Sequence, residues 1–122
     1  MNAPEKYLTW RFEDEDEELE KKVTYHPDSK RPNAGTFVVA KEDYTLGNLV
    51  RTQLLRDPAV RFAGYRLPHP LIIECHIRIE SMDSRVTPPN LFESALADLQ
   101  LETELLSKAF DSAVAEFDRT EF

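Results

Sequence analysis

The sequence predicts an α+β domain, a mainly antiparallel sheet with helices on one face, in the order β-β-α-β-β-α. Three observations carry this. Between residues 23 and 80, short stretches rich in β-branched and aromatic residues alternate apolar with polar positions. A single helical pattern, TLGNLVRTQLL (45–55), interrupts them and is closed by Asp57-Pro58. After Pro88-Pro89 no glycine or proline occurs up to Phe122, and apolar residues recur at helical spacing throughout.

In chain order, Leu8, Trp10 and Phe12 alternate with polar neighbours, which suits an extra edge strand or a docking arm over 7–12. Residues 13–20, EDEDEELE, hold seven acids and no base; such a run is solvated, either as an inert surface loop or as a site for a basic partner. Val23 and Tyr25 share a face in a short strand, and the stretch from Pro27 to Asn33 is turn material. TFVVA (36–40) is the next strand. Thr45 is the expected N-cap of the first helix, in which Leu46, Leu49, Val50, Gln53 and Leu54 recur at helical spacing while Arg51 and Arg56 point elsewhere. Gly47 within it costs up to about 1 kcal/mol relative to alanine, a cost that close backbone approach to another element would explain.

In VRFAGYRL (60–67) the apolar phase runs Val60, Phe62, then Tyr65, Leu67, so a β-bulge is expected at Ala63-Gly64. Pro68-His69-Pro70 is a stiff connector. LIIECHIRIE (71–80) is the clearest strand, with Ile73, Cys75, Ile77 and Ile79 on one face and Glu74, His76, Arg78 and Glu80 on the other. Thr87 caps a long helix from Pro88 to Phe117. Phe92, Leu96, Leu99, Thr103, Leu106, Phe110, Ala113 and Phe117 form its seam in alternating steps of four and three, widened by Ala95, Leu105, Ala109 and Val114. That helix is about 45 Å long, whereas a compact chain of this size is about 35 Å across. Either another chain covers the far end of the seam, or the helix breaks near Thr103 and folds over its own sheet.

The 122 residues suffice for one domain with its own core. The net charge of −8 is unevenly placed: residues 21–85 carry 11 basic and 7 acidic residues, residues 86–122 carry 2 and 8. This argues against direct DNA contact and against an anionic membrane surface, both of which reward a basic face. No apolar run is long enough for a membrane span, and the charged N-terminus has no signal-peptide core, so an intracellular protein is expected. The single cysteine excludes an internal disulfide and a structural zinc site, and Cys75 on an apolar strand face reads as a buried small hydrophobe. His26, His69 and His76 are scattered without metal-ligand spacing, and the three glycines form no phosphate loop. No catalytic, cofactor or metal site is expected.

Two motifs in order, EDYTLGN (42–48) within PNAGTFVVAKEDYTLGNLVRTQLL and FAGYRLPHPL (62–71), resemble the smaller alpha-like assembly subunits of RNA polymerases. This family includes the archaeal L subunit and the N-terminal domain of the bacterial alpha subunit. The resemblance spans roughly residues 21–117, and implies an N-terminal segment (1–20) followed by a dimerisation domain (21–122). It implies a non-catalytic subunit of a nuclear transcription machine, pairing as a heterodimer with a larger alpha-like subunit to form the platform for the large catalytic subunits. The motif-bearing helix and the long C-terminal helix build that interface in the family. The matching positions here are Leu46, Leu49, Val50, Leu54, Phe92, Leu96, Leu99, Leu106, Phe110 and Phe117. The largest polymerase subunit is a further implied partner, loosely at Arg51 and the His69 loop. AGY-x-x-PHPL favours the polymerase II type over the counterpart shared by polymerases I and III; an independent acidic adaptor for basic partners is the alternative from another class. The acid run 13–20 departs from the short, glycine-containing segment usual in the family.

Overall fold

The computed structural model describes residues 21–121; the expected strand over 7–12 and the acid run lie outside them. The elements are β1 (Val23–Pro27), β2 (Ala34–Ala40), α1 (Tyr44–Leu55), β3 (Val60–Arg66), β4 (Glu74–Ser81) and α2 (Pro88–Glu121). The four strands form one antiparallel sheet in the order β1-β2-β4-β3. Its register places Tyr25, Phe37, Ile77 and Tyr65 in one row across the sheet, followed by Gly35, Ile79 and Ala63. Because side chains alternate along each strand, these rows share a face. That face and the two helices enclose a single core of Phe37, Val39, Val50, Leu54, Ala63, Cys75, Ile77, Ile79, Leu91, Phe92 and Ala95.

Local chemistry accounts for the joins. Asp43, not Thr45, is the N-cap of α1: its Oδ1 accepts the Thr45 amide at 2.9 Å. Both residues have capping side chains, and the extended backbone at Asp43 decides between them. Lys41 (φ 61°) makes the turn from β2 into α1, and its amide donates to the Ile73 carbonyl at 2.8 Å. Asp57 Oδ1 accepts the Ala59 amide at 2.9 Å and turns the chain into β3.

The irregularity in β3 sits between Val60 and Phe62 rather than at Ala63-Gly64. Val60 packs against the core, then the extra residue reverses the phase, so that Ala63 is buried and Phe62 points out. β4 begins at Glu74, three residues later than the apolar pattern suggests. Leu71 and Ile72 follow Pro70 in an exposed loop.

Gly47 has the role its position suggests. A Cβ there would lie 2.7 Å from Cys75 Sγ and 2.8 Å from the Tyr65 ring, so the missing side chain lets α1 rest directly on β3 and β4. Toward the β1 edge of the same face, the Phe92 ring of α2 stacks on Phe37, centroids 4.2 Å apart, and Tyr25 tilts against Phe37 at 4.7 Å.

Candidate subunit interface

α2 is continuous across Thr103, whose Oγ1 donates to the Leu99 carbonyl at 2.7 Å and is thus satisfied within the helix. With 34 residues it spans about 51 Å. Its start is fixed by Thr87, whose carbonyl accepts the Leu91 amide at 3.1 Å, and by the buried Pro88. Leu91, Phe92 and Ala95 are buried against the sheet, and Leu99 is half-buried. From Gln100 to Thr120 every residue is exposed. These 21 residues correspond to about 30 Å of helix projecting past the core.

The seam runs into this projection without changing face. At about 100° per residue, Thr103, Leu106, Phe110, Ala113, Val114 and Phe117 lie within about 60° of the line through Phe92 and Leu99. The stripe that covers the sheet near the N-terminus therefore faces solvent beyond Leu99. Leu106 is 71%, Phe110 67% and Phe117 60% exposed. A continuous exposed apolar stripe of this kind marks an association surface.

The structure divides the residues expected at the interface. Val50 and Leu54 are 0% and 1% exposed, and Phe92 is buried, so these three fasten the helices to the sheet and have no surface to give a partner. Leu46 packs partly against the same core. Leu49 and Leu96 are exposed near the base of the projection, Leu99 lies at its root, and Leu106, Phe110 and Phe117 lie along it. At that base Arg56, the α1 C-cap, pairs with Glu102 of α2 at 3.3 Å. Leu101, on the back of the helix, and Leu55, beside the inward Leu54, are exposed apolar residues outside the expected set. Their signal was available: neither fits the stripe of its own helix.

Elsewhere the chemistry is structural. Cys75 is fully buried, and burial pushes its thiol up to about 11, the opposite of an activated nucleophile. On the outer sheet face Arg78 donates to Asp28 Oδ2 at 2.8 Å and to Glu80 Oε1 at 3.1 Å, and Arg31 also reaches Glu80. The Lys30 amide and then the Arg78 guanidinium hold the Asp28 carboxyl down, from 3.8 to about 2. His69 Nδ1 accepts the Leu71 amide at 3.0 Å, making it a turn residue in the Pro68–Pro70 connector. Among the described residues no His, Cys, Asp and Glu group has the arrangement of a metal site, and no helix is long and apolar enough to cross a membrane.

The chain is similar to known proteins of one family. Residues 34–115 match the family described as the RNA polymerase Rpb3/Rpb11 dimerisation domain. The chain is 41% identical over 110 residues to the DNA-directed RNA polymerase II subunit rpb11 of Dictyostelium discoideum, covering 90% of this chain and 88% of that protein. It is 40% identical over 114 residues to the "Probable DNA-directed RNA polymerase II subunit RPB11" of Caenorhabditis elegans, covering 93% and 88%. Among solved structures, the DNA-directed RNA polymerase subunit L of Thermoplasma acidophilum superposes with a TM-score of 0.62 at 26% identity, covering 83% of this chain and 95% of that one. A half-covered C-terminal helix on a four-stranded sheet, matched over most of its length to proteins of one kind, places this chain in the RNA polymerase Rpb3/Rpb11 dimerisation-domain family, among its Rpb11-like members.

Proposed function

We propose that this chain is the non-catalytic assembly subunit of a nuclear RNA polymerase II, and that the projecting half of α2 is the surface that pairs with the larger, Rpb3-like alpha subunit. The observation that supports this most is the uncovered seam of Leu106, Phe110 and Phe117, continuous with the buried stripe of the same helix. Leu99, Leu96 and Leu49 extend it at the base. Burying a large apolar side chain is worth about 1.5–3 kcal/mol. Several such residues together give roughly 10 kcal/mol gross, enough to offset much of the cost of association. The resulting heterodimer presents both sheets as a rigid platform on which the largest polymerase subunit and the other core subunits assemble. This chain itself makes no contact with DNA and no contact with a membrane, and its place is the nucleus.

Co-expression with the larger alpha-like subunits of polymerase II and of polymerases I and III tests the reading. Size-exclusion chromatography with light scattering should give a one-to-one complex with the polymerase II subunit. A chain that remains monomeric in both mixtures would refute it, and a complex only with the polymerase I/III subunit would move the assignment to that branch.

A further inference from the structure

The flanks of the exposed seam carry charge of one sign. Viewed down α2 at about 100° per residue, Glu102 lies about 70° and Asp98 and Glu116 about 110° from the centre of the stripe on one side, and Asp118 lies about 90° and Asp111 about 110° from it on the other, so that acids flank it on both sides. The two bases of this part of the helix, Lys108 and Arg119, both lie about 160–180° from the stripe, on its back. Glu102 is already neutralised by Arg56 at 3.3 Å. Among the described residues Asp111, Glu116 and Asp118 have no ion-pair partner. The outer half of the projection is therefore an apolar stripe between two uncompensated acidic borders.

Two copies of this chain laid seam to seam bring acid against acid at those borders. The conflict persists with the helices parallel or antiparallel, because neither border holds a base to exchange. A helix whose apolar stripe is edged by lysines and arginines meets complementary charge at the same places. Charges bordering an apolar seam set the choice of partner in this way, favouring one pairing and penalising another.

We propose that Asp111, Glu116 and Asp118 are specificity determinants: they select a partner helix bordered by basic residues and exclude a second copy of this chain. The proposal rests on the preceding reading for the identity of the partner, whereas the exclusion of a second copy rests on this chain alone. All three side chains are exposed, so changing them leaves the core of the domain untouched.

The test uses the full chain, the neutral variant D111N/E116Q/D118N and the reversed variant D111K/E116K/D118K. Self-association is measured by sedimentation equilibrium, and pairing with the larger alpha-like subunit by titration calorimetry, each at low and high salt. The neutral variant should self-associate about tenfold more tightly than the wild type at low salt, with the gap closing at high salt as the charges are screened. The reversed variant should pair with the alpha-like subunit at least about tenfold more weakly at low salt, again with a gap that closes. Self-association equal in wild type and neutral variant overturns the exclusion. Pairing that is unchanged or tighter in the reversed variant overturns the basic-bordered partner. A wild-type chain that does not pair at all refutes the preceding reading and the partner clause with it, while the self-association measurement still decides the exclusion.

Discussion

Replacing Gly47 by alanine sets two effects of opposite sign against each other. Helix propensity alone favours the substitution by about 0.8–1 kcal/mol. Against it stands the contact: the new methyl would lie 2.7 Å from Cys75 Sγ and 2.8 Å from the Tyr65 ring, where something must shift by several tenths of an ångström. Cys75 is fully buried between β2 and β3 and has little room to give. Overpacking of this kind costs about 1–3 kcal/mol. The contact term wins, and the expected net effect is destabilisation by about 1 kcal/mol, a fall in Tm of about 5 °C for a domain of this size. Urea unfolding of the full chain, followed by circular dichroism, measures it. A second variant locates the cause, since Cys75→Ala removes the sulfur and should reduce the cost of Gly47→Ala in the double mutant. A Gly47→Ala chain more stable than wild type would refute the argument that glycine is needed for close approach.

Leu106→Asp or Phe110→Asp should abolish pairing with the larger alpha-like subunit while leaving the unfolding free energy of the isolated chain within about 0.5 kcal/mol of wild type, because both sites are exposed. Leu54→Ala should behave oppositely, costing about 2–5 kcal/mol of stability, because Leu54 is 1% exposed. Asp28 is more acidic folded than unfolded, so its contribution is complete above its ordinary value of 3.8 and is lost as pH falls toward about 2. Acid titration of Asp28→Asn, followed by fluorescence, should therefore show a shallower loss of stability across that window than wild type. Native Cys75 should react slowly with a thiol reagent at neutral pH and at full rate in urea, since it is buried and its thiol is pushed up to about 11; rapid native labelling would contradict the packing of β4.

The strand faces were legible because a period of two leaves little choice: Cys75, Ile77 and Ile79 are buried as their alternation requires. The start of α2 was legible from Thr87 and the prolines, and the role of Gly47 from its cost in a helix. Other features turned on competition that sequence does not display. Asp43 and Thr45 are both able caps, and backbone geometry chose the former. The parity reversal in β3 was visible, but Phe62 and Ala63 could each have taken the inward place; the one-residue bulge near Arg61 turned the smaller residue inward. Leu71 and Ile72 continue the apolar pattern of β4 yet fall in the loop after Pro70. The interface shows the same limit most clearly. Val50, Leu54 and Leu106 differ in nothing that periodicity records, since a helical stripe states that one face will be covered and not by what. Only the distance from the sheet separates Phe92, which reaches it, from Phe110, which does not.

On the proposed function, the larger alpha-like subunit covers the projecting half of α2. Hydrogen exchange of the backbone amides from Gln100 to Phe117, compared between the isolated chain and the heterodimer, tests it most directly. Strong protection of this segment on pairing is expected, largest around Leu106 and Phe110, with little change in β2 and β4. A stable heterodimer in which residues 100–117 exchange as fast as in the free chain would contradict it.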